Sequence, residues 1–132
     1  MKNNIVYISS VDVTDIKKKA IDDNETFYVE IDGKKLLNLS DYLDEISDLF
    51  NFPRLAKNLD GYNDWMTDFT WMSLKKIVFI INNYEDFMSK DLLAKNKIIA
   101  NFSDLILPWW EKEVIDHMVG GEAKSFMVYL VN

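Results

Sequence analysis

The chain has 132 residues, of which 48% are hydrophobic and 14% aromatic: enough for one domain with a sizeable core, and too apolar for disorder. Fifteen basic residues stand against 22 acidic ones, and the net charge of −7 disfavours direct binding to nucleic acid and favours basic partners. The absence of cysteine excludes disulfides and thiolate metal sites. No apolar run approaches the ~20 residues needed to span a bilayer. Residues 1–10 also lack the apolar stretch and cleavage site of a secretory signal, so the expectation is a cytoplasmic protein without a membrane segment.

In chain order, Ile5-Val6-Tyr7-Ile8 reads as a short strand. Thr14 to Asp22 suits a short helix with Thr14 as N-cap. Phe27 to Ile31 is a second strand, closed by the turn signal Asp32-Gly33. Ser40 can cap a helix whose apolar positions are Tyr42, Leu43, Ile46, Leu49 and Phe50, and Pro53 ends that segment. Asn58 is a good N-cap for the next helix. Ile77 to Ile81 is an uninterrupted apolar strand, best explained by burial on both faces. Asp91 to Leu107 is helical in pattern; Pro108 either kinks that helix or starts another carrying Trp109, Trp110, Val114, Ile115 and Met118. Gly120-Gly121 breaks the chain before the last strand, Phe126 to Val131. Strands separated by helices predict a small α/β domain with a parallel sheet, residues 1–132 forming one unit without linker or repeat.

The segment after Asn58 is the most distinctive. At ~100° per residue, Leu59, Tyr62, Trp65, Met66 and Phe69 share one face of a helix. Asp60, Asp64 and Asp68, at i, i+4 and i+8, form a ridge almost opposite. Like charges at this spacing oppose the helix by a few tenths of a kcal/mol per pair, roughly 0.2–0.5. A ridge that works against its own helix invites a binding role. A solvated amphipathic face is the plainer reading of the same charges, since residues 40–72 as a whole carry seven acids and two bases. Trp65 belongs to the apolar face. Trp71 either stands exposed beside the carboxylates as an interface anchor or, if the helix ends earlier, folds back into the core. Trp109 and Trp110 read as packing residues.

Enzymatic chemistry finds little support. His117 is the only histidine, and its expected place is a surface or partly packed position. Four glycines make no phosphate loop. Carboxylates one turn apart on a rigid helix do not wrap a cation as a calcium loop does. Asp60 and Asp64 could serve as a hydrolase acid–base pair, but any i,i+4 pair offers that spacing. No cofactor and no metal are expected.

Asn58-Leu59-Asp60-Gly61-Tyr62-Asn63-Asp64-Trp65-Met66-Thr67 resembles the second helix of the barstar family, intracellular inhibitors of the ribonuclease barnase. The pattern Asn-Leu-Asp-x-x-x-Asp-x-hydrophobic-Thr is matched in register. The flanks agree: a strand and turn to Gly33, a helix from Leu39-Ser40-Asp41, Pro53, the buried strand 77–81, an aromatic segment with Phe87, helices, and the strand 126–131. The resemblance covers residues 27–131 and implies three parallel core strands with helices packed around them. Residues 1–26 resemble an added N-terminal βα extension that supplies an extra strand. It further implies an inhibitor rather than an enzyme: an immunity protein whose acidic helix occludes the active site of a basic ribonuclease or related toxin in place of substrate phosphate. Carried over by position, Asp64 would be the main phosphate mimic and Asp60 the second. Asn58 would cap the helix and touch the partner, and Asn63 and Thr67 would lie at the interface.

The match departs in two places. Barstar has an aromatic at the position of Asn63. The loop Pro53-Arg54-Leu55-Ala56-Lys57 is slightly shorter, lacks barstar's paired tyrosines and glycine, and adds two positive charges. Barstar's late-helix glutamate is matched only loosely, by Glu113 or Asp116. A barstar-fold interaction module whose partner is not a ribonuclease is the alternative these departures leave open.

Overall fold

The computed structural model describes residues 2–132. Four strands, β1 (Asn4–Ile8), β2 (Thr26–Asp32), β3 (Lys76–Asn82) and β4 (Ser125–Val131), form one parallel sheet in the order β1-β4-β3-β2. The expected three-stranded core is β2-β3-β4, and the extra N-terminal strand lies against the outer edge of β4. Its register runs from Asn4 opposite Met127 to Ile8 opposite Val131.

One face of the sheet carries most of the core. Val29 and Ile31 of β2, Ile77, Phe79 and Ile81 of β3, and Phe126, Val128 and Leu130 of β4 are all buried there. Alternation along the strands turns these residues to one side. They pack against α2 (Leu39–Leu49), α3 (Leu59–Met66) and a long C-terminal helical segment. The other face is crossed by α1 (Ser10–Asp22), whose Ile16 and Ala20 border a shallow space shared with Val78 and Tyr129. Ile80, on that face, is also fully buried, as expected for a strand covered from both sides.

Two expected helix starts are corrected. Helix α1 begins a turn before Thr14, with Ser9 as its extended N-cap residue and Ser9 Oγ donating to Asp12 Oδ2 at 3.2 Å. The inward stripe Val13-Ile16-Ala20 has helical spacing and needs a turn ahead of Val13. Helix α2 is capped by Asn38 rather than Ser40: its Oδ1 accepts from the Asp41 backbone N–H at 3.0 Å. Both residues are good caps, and the one that lets Leu39 enter the first turn prevails.

The segment around Pro108 resolves the choice left open by the sequence. Helix α4 (Leu92–Asn101) is capped by Asp91 and runs on through two wide π-helical turns, Phe102–Ile106 and Trp109–Glu113, into the closing turn α5 (Val114–His117). Pro108 sits between the wide turns with ordinary helical angles. Proline removes one N–H and crowds the carbonyl four residues back, and widened turns relieve that crowding without ending the helix.

The N-terminal strand is clamped to the core by Asn3. Its Nδ2 donates to Leu107 O and Lys124 O, both at 3.1 Å, and its Oδ1 accepts from Phe126 N at 2.8 Å. Its backbone N–H donates to Glu111 Oε1 at 2.6 Å.

Candidate protein-binding site

Helix α3 is built as its sequence suggests at the start and more tightly at the end. Asn58 Oδ1 accepts from Gly61 N at 2.8 Å, so the expected cap is formed. Tyr62 and Met66 are fully buried on the inner face. Tyr62 and Tyr42 share a hydrogen bond between hydroxyls at 2.7 Å, and burial raises the pKa of both phenols. Trp65 is half-buried, its ring edge-on to Trp71 at 5.6 Å.

The helix stops at Met66, which changes the ridge. Thr67 closes it: its N–H bonds to Asn63 O at 3.1 Å and its Oγ1 donates to the same oxygen at 2.8 Å. Phe69 then takes a left-handed conformation, φ 52°, and its side chain turns into the core. It lies stacked between Phe50 (5.8 Å) and Trp110 (5.3 Å). Asp68 therefore leaves the helix, and a ridge of three carboxylates becomes an exposed pair, Asp60 and Asp64, one turn apart. Trp71 falls into the core arrangement for the same reason. Its Nε1 donates to Phe50 O at 2.9 Å and its ring packs against Phe52 and Phe69.

Neither Asp60 nor Asp64 takes part in an ion pair among the described residues; the two pairs formed are Lys17–Glu30 and Lys76–Asp23, each at 3.0 Å. The five expected site residues lie on one short stretch. Asn58, Asp60 and Asp64 are exposed, while Asn63 and Thr67 are half-buried. Asn63 Oδ1 is buried without a hydrogen-bond partner among the described residues, an arrangement that costs free energy in the isolated chain. Glu113 and Asp116 are exposed on the C-terminal helical segment.

The supports of α3 come largely from outside it. Trp110 Nε1 donates to Met66 O at 2.7 Å, satisfying a carbonyl at the helix C-terminus. The expectation that Trp110 packs is met, since it is buried, but this bond was not legible. The only hint was that a buried indole N–H requires an acceptor. At the other end, Ser47 holds the preceding loop: its backbone O accepts from Phe52 N at 2.9 Å and its Oγ accepts from Ala56 N at 3.0 Å.

A groove of about 330 Å³ flanks the C-terminal end of α3, bounded by Thr67, Asp68, Trp109, Met118 and Val119. Beside it Lys124 donates to Leu74 O at 2.6 Å and lies over the Trp110 ring. Burial lowers the pKa of that ammonium. No group of three His, Cys, Asp or Glu side chains is arranged to hold a metal ion among the described residues. No helix among them is long and apolar enough to cross a membrane. The candidate site thus consists of a capped helix that presents two carboxylates to solvent, neither in an ion pair among the described residues.

Comparison with curated proteins and with solved structures returned no significant match. The family model described as barstar (barnase inhibitor) matches residues 26–128, which takes in β2, α2, α3, β3, the whole C-terminal helical segment and β4 as far as Val128, and leaves β1 and α1 outside. The chain belongs to the barstar family.

Proposed function

We propose that this protein is an inhibitor, not an enzyme, that binds and occludes the active site of a basic ribonuclease or related toxin. In this reading it acts as an immunity protein in the cytoplasm of the cell that must be protected. The observation that carries the reading is the exposed, unpaired Asp60–Asp64 pair on a pre-formed helix of a barstar-family chain. A nuclease site is a basic pocket shaped for phosphate. Carboxylates about one turn apart can enter it, accept charge-assisted hydrogen bonds and exclude substrate. Asp64 takes the leading position and Asp60 the second. Asn58 keeps the first turn in place, and Asn63 and Thr67 border the contact. A helix already formed before the encounter limits the entropy lost on association.

The decisive experiment pairs this chain with a basic ribonuclease that it binds. Wild type should abolish RNA cleavage at equimolar ratio and Asp64→Ala should not. Equal inhibition by the two proteins would remove substrate mimicry as the mechanism. The loop cations Arg54 and Lys57 favour a second reading, a barstar-fold interaction module for a partner that does not cleave RNA. A bound partner without ribonuclease activity would decide for it.

A further inference from the structure

A second groove of about 330 Å³ lies between the start of α2 and the loop that precedes α3. Leu39, Leu43, Leu55 and Ala56 line it, with Asp44 and Lys57 in its walls. The loop is tied back to the end of α2 by the two bonds to Ser47 described above. Leu55 is nonetheless 53% exposed. Arg54 and Lys57 are exposed and make no ion pair among the described residues, although four acids of α2 stand nearby in sequence. Lys57 directly precedes the cap residue Asn58, so whatever sits on Asp60 and Asp64 also reaches this loop.

A partner that was basic throughout would meet Asp60 and Asp64 favourably and Arg54 and Lys57 unfavourably. Like-charge contact at an interface lowers affinity and is a means of rejecting partners. An apolar side chain left over water beside Leu55 would add nothing. Charge complementarity therefore calls for a partner of mixed character.

We propose that residues 54–57 and the Leu39–Leu43–Leu55 groove are the specificity element of this inhibitor. Its partner presents an acidic residue to Arg54 and Lys57, and an apolar side chain to the groove, next to the basic cleft that receives Asp64. This rests on the reading that α3 is the docking helix.

Barnase, the enzyme named in the family description, is the probe, titrated against the full chain at low ionic strength. Arg54→Ala/Lys57→Ala should bind barnase at least tenfold more tightly than wild type, and Arg54→Glu/Lys57→Glu more tightly still. Adding Asp64→Ala to the double alanine variant should abolish the gain. Equal binding by wild type and both loop variants, or no binding by any of them, overturns the specificity proposal. A gain that survives Asp64→Ala overturns the reading of α3 instead. A displayed library of barnase variants, with the rim of the active site randomised, supplies the second measurement. Selection on wild type should enrich Asp or Glu at the rim, and selection on Lys57→Glu should enrich Lys or Arg. Identical enrichment on the two baits also overturns the proposal.

Discussion

The indole N–H of Trp110 reaches 2.7 Å from the carbonyl oxygen of Met66, joining the C-terminal helical segment to the last turn of α3. The same ring stacks on Phe69 at 5.3 Å, the residue whose left-handed backbone ends that turn. The end of α3 is therefore supported by a residue 44 positions away in sequence. Trp110→Phe keeps most of the stack and orphans the Met66 carbonyl. We expect a loss of about 1–3 kcal/mol in stability, read by urea unfolding followed by circular dichroism. An unchanged midpoint would show that another donor reaches the carbonyl.

The two carboxylates of α3 should separate binding from stability. Asp64→Ala should leave the unfolding midpoint within about 0.5 kcal/mol of wild type, because the side chain is exposed and unpaired. Partner affinity should fall by about 2 kcal/mol or more, as for a central interface residue. The association rate should decline with salt for wild type and less steeply for the variant. Calorimetry and stopped-flow mixing across a salt series would check both.

Glycine positions should respond in opposite directions. A Cβ at Gly61 would meet only Asn58 Oδ1, at 3.5 Å, an ordinary contact. Gly61→Ala inside α3 should stabilise by about 0.5–1 kcal/mol. A Cβ at Gly33 would lie 2.5 Å from Asn83 O and 2.8 Å from Asn82 O, both backbone atoms. Gly33→Ala should therefore lower the thermal midpoint by several degrees, at roughly 4 °C per kcal/mol lost, between the values for smaller and larger domains.

Glu30 predicts a pH response. Burial opposes its ionisation, yet hydrogen bonds from Tyr28 Oη at 2.7 Å and Asn82 Nδ2 at 2.6 Å, with Lys17 at 3.0 Å, outweigh that penalty. Its folded pKa lies below the ordinary 4.5. A depressed folded pKa stabilises the protein above the unfolded value, and that contribution disappears as pH falls through the folded one. Wild type should lose more stability than Glu30→Gln between pH 6 and pH 3. Parallel losses in denaturant titrations would contradict this.

Asn3 should be costly to remove. Asn3→Ala leaves Leu107 O, Lys124 O and Phe126 N without their side-chain partner, and we expect about 2–4 kcal/mol of destabilisation. Hydrogen exchange of the β1 and β4 amides should quicken in the variant, since those strands pair along their length.

The elements that sequence discloses here are those governed by local chemistry. Asn58 caps because an amide oxygen suits an orphan N–H, and Ile77 to Ile81 is a strand because an unbroken apolar run demands cover on both faces. The resemblance of residues 58–67 to barstar supplied the family. What stayed hidden depends on distant partners. Periodicity carried α3 as far as Phe69, but Thr67 and the inward turn of Phe69 stop it at Met66. Ser40 and Asn38 compete as caps within two residues, and only the entry of Leu39 into the first turn decides between them. Pro108 leaves a kinked helix and a new one equally open, and widened turns carry the helix across it. The roles of Ser47 and Trp110 as supports of α3 and the loop before it leave no local trace.

Helix α1 crosses the sheet on the face opposite α3. Its Val11 and Ile21 point into solvent, 81% and 58% exposed. Substitutions so far apart, with no shared contacts, usually combine additively. Either position is thus a handle: a fluorophore, a surface tether or a second copy joined through it would leave Asp60 and Asp64 uncovered.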